Sequence, residues 1–288
     1  MKALLLAARP KTLPAAIVPV WLGTALAYHL TGEWSAVLMW VTLGSAICIQ
    51  IATNLFNDAI DAKKGADTAK RLGPVRVTAS GLVSQKTVFT WAGVFLGLAT
   101  LLSIVLILER GWVIIAIGIP SLYLSYGYTG GPVPLAYRGL GETFVFLFFG
   151  VVATMGTYYV QTGEWSGQAA LLGAVIGWLS CFLIAINNLR DVEEDSSTGK
   201  KTLAVFLGER LYKRIMVMMG AHCSLAILGL WWWLELQVGV EIGFIVLSWV
   251  LLNGVIMCKE AEKLNKHLAL SGMLLVVFGI ALQVCILI

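Results

Sequence analysis

The sequence predicts an all-α membrane protein, a bundle of about nine transmembrane helices. Of its 288 residues, 59% are hydrophobic and only 12% are charged, and the mean hydropathy is +0.86. A soluble domain carries about 25% charged residues, so this chain has too few polar side chains to cover a surface in water. The bilayer must therefore be its solvent, which excludes the classes of soluble enzymes and soluble binding proteins.

Nine apolar stretches are long enough to cross a bilayer, at about 17–25 residues each. They cover residues 13–31, 36–57, 87–107, 112–128, 141–161, 166–188, 214–234, 238–257 and 268–288. If the N-terminus is cytoplasmic, the cytoplasmic segments hold all of the 20 Lys and Arg residues except Arg110. The positive-inside rule therefore predicts a cytoplasmic N-terminus and an external C-terminus.

Two of the cytoplasmic connections, residues 58–86 and 189–213, are long, polar and charged. Loops of this length inside a compact domain usually carry function. We therefore expect one transmembrane domain over residues 1–288, with these two loops forming a cap over a catalytic site on the cytoplasmic side.

An internal repeat is also visible. The string Thr-Gly-Glu-Trp-Ser occurs at residues 31–35 and again at 162–166, each time between two apolar stretches. The pattern of Asn54 and Asp58 recurs as Asn187 and Asp191. These matches predict two four-helix repeats of the same orientation, followed by one additional helix.

Polar and acidic side chains are grouped at the ends of predicted helices 2 and 6. If helix 2 continues past its apolar part, three side chains at i, i+4 and i+7 share one face: Asn54, Asp58 and Asp61. On helix 6 the same holds, at i, i+4 and i+8, for Asn187, Asp191 and Asp195. A single aspartate of this kind is readily explained as a solvated loop charge. Two matching clusters, one in each half, favour a shared site instead.

Carboxylates stacked on one helix face repel one another, and the repulsion grows near the membrane. A cation should therefore lie between them. Oxygen ligands without His or Cys nearby favour Mg²⁺. Two such clusters facing each other would hold Mg²⁺ ions that bind a diphosphate.

Basic residues interleave with these acids, and Lys and Arg are natural partners of diphosphate oxygens. The candidates are Arg71, Arg76, Lys200, Lys63 and Lys70. Arg71 and Arg76 flank Gly73 and Pro74, a rigid turn that would hold both in place. The positive-inside rule would place basic residues here in any case, so this remains the alternative explanation for each one.

The connection between helices 4 and 5 is rich in glycine, proline and tyrosine. Tyr128 and Tyr137 could shield a carbocation through cation–π attraction, and Arg138 follows directly. The alternative is a belt of tyrosines at the membrane interface.

The two acidic motifs, Asn57-Asp58-Ala-Ile-Asp61 and Asp191-Val-Glu-Glu-Asp195, resemble those of the UbiA-type family of intramembrane aromatic prenyltransferases. Asp67 falls two positions later than the third acid of some family members. Four further strings resemble the branch that prenylates 1,4-dihydroxy-2-naphthoate in menaquinone biosynthesis. They are residues 9–15 (RPKTLPA), 137–142 (YRGLGE), 187–191 (NNLRD) and 199–204 (GKKTLA).

This resemblance implies Mg²⁺-dependent transfer of a polyprenyl group from its diphosphate to the naphthoate. Carbon dioxide is lost and demethylmenaquinone results. The resemblance assigns catalysis to Asp58, Asp61, Asp191 and Asp195, which with Asn54 and Asn187 would bind Mg²⁺. The remaining candidates for the substrate pocket are Asn57, Asn188, Tyr128, Tyr137 and Arg138.

The expected location is the inner (cytoplasmic) membrane, with the active site facing the cytoplasm. The expected partners are a polyprenyl diphosphate, an aromatic acid and the lipid bilayer, with no nucleic acid and no obligatory protein partner. 4-Hydroxybenzoate or homogentisate are alternative acceptors. A secondary transporter is the alternative class, but transporter sites lie near the bilayer midplane, whereas every Asp here lies at a helix end or in a loop.

Overall fold

The computed structural model describes residues 2–68, 71–236 and 239–287. Nine apolar helices, here α1 to α9, form a bundle. They are Pro14–Thr31, Ala36–Lys63, Gln85–Arg110, Trp112–Gly127, Gly141–Thr162, Gly167–Arg190, Glu209–Trp233, Val240–Met257 and Leu264–Leu287. The described residues contain no β-strand, only a single bridge between Arg138 and Lys201.

Seven of these helices are long and apolar enough to cross a bilayer. Helix α1 passes the same test only together with the short helical segment before it, and because the two meet at a bend of 48° they form either a broken span or a re-entrant segment. The shorter α4, with 16 residues, brings the apolar helices to nine. The prediction of an all-α, multi-pass membrane protein with about nine helices is confirmed.

The two largest differences from the apolar pattern each lengthen a helix at its polar end. Helix α2 continues past residue 57 to Lys63, because no glycine interrupts it before Gly65, whose φ of 68° stops the helix. Helix α7 begins at Glu209 rather than at residue 214. The first polar connection is thereby shortened to residues 64–84.

The repeated string forms the same turn twice. Gly32 and Gly163 end α1 and α5 with φ of 75° and 80°. Ser35 and Ser166 then cap the following helices by accepting a backbone N–H. The side chain of Gln161 joins the two turns, since its Oε1 accepts a 2.7 Å hydrogen bond from the Ser35 backbone.

Arg110, the one basic residue predicted to lie outside, is at this same end of the bundle. Its guanidinium donates to the backbone carbonyls of Val160 and Gln161 at 2.8 and 2.9 Å. These are terminal carbonyls of α5, which have no partner within the helix. Arg110 therefore has a local capping role there.

Helix α6 is the central helix of the bundle. Leu172, Ile176, Leu179 and Phe182 on it are buried to 2% exposure or less. Helix α5 packs against it through a π-helical segment, Phe146–Val152. The two backbones approach so closely that a Cβ at Gly150 would lie 2.4 Å from the Gly173 carbonyl oxygen. This packing holds the first half of α6 against α5, and the second acidic motif begins at the other end of α6.

Candidate active site

The functional candidates lie at one end of the bundle, which we call the polar end. It is formed by residues 8–13 and by the connections 64–84, 128–140, 191–208 and 258–263. Hydrogen bonds and ion pairs join these segments to one another. The predicted meeting of the two acidic motifs occurs here.

Asp58 fastens the first connection to α2. Its carboxylate is 1% exposed, and its two oxygens accept hydrogen bonds from the backbone N–H groups of Val77 and Thr78 at 3.1 and 2.9 Å. These bonds satisfy the buried charge and fold the loop back over the end of the helix. Asp58 therefore has a positioning contact on both oxygens.

Asp61, one turn further along α2, faces the other segments of the polar end. Its Oδ1 accepts a 2.8 Å hydrogen bond from the Tyr137 hydroxyl. Its Oδ2 lies 3.5 Å from Arg76 Nη2 and 3.9 Å from Lys200 Nζ. Helix α2, the tyrosine-rich connection and the second acidic segment thus converge on one carboxylate.

Asn54 lies on the same face of α2, as predicted, but its amide nitrogen donates hydrogen bonds to other residues of this chain. Nδ2 donates to the Ala8 carbonyl at 2.9 Å and to Thr12 Oγ1 at 3.0 Å. Gln50 donates to the same Thr12 hydroxyl at 3.2 Å. These two side chains hold the segment before α1 against the site.

That segment includes Arg9, which the sequence analysis placed in the string at residues 9–15 but did not predict as a site residue. Arg9 has a left-handed backbone, with φ of 50°. Its Nη2 is buried with no hydrogen-bond partner. The Arg-Pro pair immediately before an apolar helix was the available signal.

The second motif begins where α6 ends at Arg190. A turn at Asp191 separates α6 from the short helix Val192–Ser197. The i to i−4 backbone bonds nevertheless continue, from Asp191 to Asn187 and from Asp195 to Asp191, at 3.1 and 2.8 Å. The predicted shared face of these three residues therefore persists, although the helix does not run straight through it.

Two cations bridge the motifs. Arg71 lies 2.7 Å from Asp67 and 4.0 Å from Asp191. Lys200 lies 3.9 Å from Asp61 and 3.4 Å from Asp195. Burial opposes the charge of Lys200, but Asp61 and Asp195 together raise its pKa above the ordinary value. These ion pairs bring the first and second motifs face to face.

Arg76 and Asp67 complete the cluster. Arg76 is 7% exposed, and its Nε lies 3.2 Å from Asp67 Oδ1. Its Nη1 is buried without a hydrogen-bond partner. Asp67, whose position is offset from the family pattern, therefore lies at the centre of the site between two arginines.

The acids fit a hard cation held together with an anionic ligand. Within the described ranges, no three His, Cys, Asp or Glu side chains are grouped so that they could hold a metal by themselves. One oxygen of Asp67 and one of Asp195 are buried without a partner. Burial raises the pKa of Asp67 to about 7 and of Asp195 to about 6, against the neighbouring cations. Mg²⁺ typically takes one or two carboxylates plus substrate phosphates, which matches this arrangement.

The predicted diphosphate ligands differ in placement. Arg71, Arg76 and Lys200 lie inside the cluster, whereas Lys63 is exposed on the last turn of α2. The neighbouring Lys64 is also exposed, but its ammonium contacts the connection 128–140. Its ammonium lies 3.8 Å from the centre of the Tyr137 ring and donates to the Thr129 carbonyl at 2.8 Å. Lys70 lies outside the described residues.

The predicted pocket residues fall into three groups. Tyr137 contacts Asp61 directly, and Asn57 accepts a hydrogen bond from Thr129 beside it. Tyr128 and Asn188 lie deeper, as described next. The side chain of Arg138 is exposed, and its backbone forms a β-bridge with Lys201.

A buried carboxylate, Glu142, lies on the inner side of the candidate site. It is 4% exposed, and its Oε1 accepts hydrogen bonds from Asn188 and from Tyr212. The ring of Tyr128 packs with its centre 5.2 Å from that of Phe144, two residues after Glu142. The sequence analysis included Glu142 in the string at residues 137–142 but predicted no role for its side chain.

Comparison with known proteins identifies the family of this chain. Residues 16–282 match the UbiA prenyltransferase family. The chain is a member of that family. Among family relatives, a 1,4-dihydroxy-2-naphthoate octaprenyltransferase from Mycobacterium tuberculosis is 39% identical over 78% of this chain and 78% of its own length. One of the same name from Haemophilus influenzae is 35% identical over 76% and 74%.

The UbiA fold is also found by structure. A UbiA homolog from Archaeoglobus fulgidus, solved with GPP and Mg²⁺, superposes with a TM-score of 0.66 at 14% identity. The match covers 97% of this chain and 98% of the other. At this identity the similarity establishes the fold, in which the two acidic motifs of this UbiA-family member face each other.

Proposed function

We propose that this UbiA-family enzyme transfers a polyprenyl group from a polyprenyl diphosphate to 1,4-dihydroxy-2-naphthoate. The observation that carries the proposal is the pair of acidic motifs joined through Arg71 and Lys200. Buried cations beside carboxylates with unpartnered oxygens suit a metal-bound diphosphate better than a free anion or a free cation.

Arg71, Arg76 and Lys200 bind the diphosphate and neutralise the charge that develops as it leaves. The unpartnered nitrogen of Arg76 supplies a donor for this purpose. Asp61, Asp191 and Asp195, with Asp67, would hold Mg²⁺, which when bound stabilises the leaving diphosphate as a Lewis acid. Asp58 and Asn54 hold the first connection and the N-terminal segment in place around it.

In the reaction, the bond between the allylic carbon and the diphosphate oxygen breaks, and the diphosphate takes the electron pair. The ring carbon that carries the carboxylate attacks the allylic cation. Carbon dioxide then leaves that carbon, which restores the aromatic ring and gives the reduced form of demethylmenaquinone. The Tyr137 ring, next to Lys64, excludes water from the cation and offers it a π face.

We assign the polar end of the bundle to the cytoplasm and the protein to the inner membrane. In the sequence, every Lys and Arg except Arg110 falls in or next to the segments predicted to be cytoplasmic, which supports the assignment through the positive-inside rule. A water-soluble naphthoate and diphosphate would meet there, while the polyprenyl tail extends into the bilayer.

The test is product analysis by mass spectrometry on purified protein in detergent. We expect a prenylated, decarboxylated naphthalene product with Mg²⁺ and none with chelator. Asp61→Asn and Asp191→Asn should abolish it, whereas Glu164→Gln, an exposed acid at the opposite end, should not. Product from 4-hydroxybenzoate or homogentisate but not from the naphthoate would refute the acceptor. Full activity of either aspartate variant would refute the site.

A further inference from the structure

Arg190 is completely buried beside the second motif. Its Nε and Nη2 bind the two oxygens of Asp191, each at 2.6 Å. Nη2 also donates to Asn187 Oδ1 at 2.8 Å, and Nη1 donates to Asn265 Oδ1 at 2.8 Å. The guanidinium therefore sets the direction in which Asp191 presents its carboxylate, and within the described residues Asn265 is the hydrogen-bond partner of Nη1.

Asn265 lies in the first turn of α9, far from the acidic motifs in sequence. While its oxygen accepts from Arg190, its Nδ2 donates to the Leu72 carbonyl at 3.0 Å and to the Glu262 carbonyl at 3.2 Å. Reversing the amide would face N–H groups with N–H and oxygen with oxygen, so only this orientation suits the partners. One side chain thus joins α9, the first connection and Arg190.

The surroundings of Arg190 explain why its hydrogen bond with Asn265 matters for its orientation. On one side the backbone of Gly73 is so close that a Cβ there would lie 2.7 Å from Arg190 Nη2. On another side is a cavity of about 420 Å³, lined by Arg190, Asp191, Leu72 and Leu264 among others. Without Asn265 the guanidinium has room to turn towards that cavity and take Asp191 with it.

We propose that Asn265 is a positioning residue of the active site. It fixes Arg190 so that Asp191 faces Arg71 and the first motif, where the metal-bound diphosphate is held. The inference rests on the proposed function, and it gives the ninth helix, which belongs to neither four-helix repeat, a specific part in the site. Partners that orient metal-binding side chains commonly contribute about 10- to 100-fold to affinity.

The test compares Asn265→Ala with wild type in detergent by calorimetric titration with a short prenyl diphosphate and Mg²⁺. Steady-state kinetics are measured in parallel. We expect at least a tenfold weaker Kd and a raised KM for the prenyl diphosphate, with the KM for the naphthoate unchanged. Asn253→Ala, an exposed asparagine on α8, is the matched control and should bind like wild type.

A double-mutant cycle with Arg190→Gln separates positioning from a general loss of packing. If Asn265 acts through Arg190, Asn265→Ala should weaken binding by less than about twofold in the Arg190→Gln background. An equal loss in both backgrounds would overturn the proposal, as would unchanged binding by Asn265→Ala. If the alanine variant does not fold, Asn265→Ser takes its place in both backgrounds, with the same expected losses and the same results overturning the proposal.

The outcomes also separate this inference from the proposed function. Wild-type protein that fails to bind prenyl diphosphate with Mg²⁺ would refute the proposed function itself. Wild-type binding with an unaffected Asn265→Ala variant would refute only the role of Asn265.

Discussion

The hydroxyl of Tyr137 donates a 2.8 Å hydrogen bond to Oδ1 of Asp61. Asp61 lies near the end of helix α2 and Tyr137 in the connection 128–140, so their contact places an aromatic ring beside the first acidic motif. Burial, with the charge and hydrogen bond of Asp61, raises the pKa of Tyr137, so its hydroxyl remains a donor. The same ring lies under Lys64 and near Lys200. Tyr137 therefore both orients a carboxylate and covers the place where charge would develop.

Tyr137→Phe should lower kcat/KM for prenyl transfer by about 10- to 100-fold. A hydrogen bond to a charged group contributes about 1.5–3 kcal/mol, and this variant removes it while keeping the ring. Tyr137→Ala should lose more, because the ring is removed as well. The exposed Tyr123, changed to Phe, is the control. Wild-type kinetics for Tyr137→Phe would show that the contact with Asp61 has no catalytic value.

Arg76→Gln should destabilise the protein by about 1–3 kcal/mol, since it removes one buried cation from Asp61 and Asp67, which keep Lys200 and Arg71 as their other ion-pair partners. The measurement is thermal or denaturant unfolding in detergent. Adding Asp67→Asn to the same chain should recover part of the loss. Lys63→Gln, on an exposed lysine, should change stability by less than about 0.5 kcal/mol. Equal effects of the two single variants would contradict the ion-pair geometry.

Gly150→Ala should destabilise the bundle by about 1–3 kcal/mol, because the new Cβ would meet backbone that cannot move aside. It would lie 2.4 Å from the Gly173 carbonyl oxygen and 2.6 Å from the Gly177 nitrogen. Gly118→Ala on α4 is the control, as nothing lies within 4 Å of its Cβ position. The unfolding temperature of each variant in detergent decides the matter, and an unchanged Gly150→Ala would argue against close α5–α6 packing.

The Mg²⁺ requirement should depend on pH. Burial raises the pKa of Asp195 to about 6, although Lys200 opposes the rise. Metal binding needs the ionised carboxylate, so protons compete with Mg²⁺ as the pH falls through that value. The Mg²⁺ concentration for half-maximal transfer should therefore rise by up to about tenfold per pH unit below the pKa. Asp195→Asn should weaken Mg²⁺ binding and flatten this dependence. A requirement that is constant across this pH range would exclude Asp195 from the metal site.

The positions of Asp58, Asp61, Asp191 and Asp195 at one end of the bundle could be predicted, because helical spacing and the length of apolar runs are local properties. Which of Lys63 and Lys64 contacts the site could not be predicted. Adjacent residues on a helix differ by about 100° in direction, and which one faces the site depends on where the Tyr137 connection packs. The role of Asn54 as a donor to the N-terminal segment was likewise hidden, because its partner carbonyl belongs to Ala8, on a different segment.

By itself, the sequence determined that the protein crosses a membrane about nine times. It also determined that two acidic clusters end helices α2 and α6, and that the chain has the motifs of the UbiA family. These follow from hydropathy and from periodicity over neighbouring residues. Only the tertiary structure decided that Arg71 and Lys200 bridge the motifs, that Arg9 lies beside them and that Asn265 supports Arg190. The hydrogen bond from Asn265 to Leu72 spans 193 residues, and no local pattern specifies which distant side chains meet when helices pack.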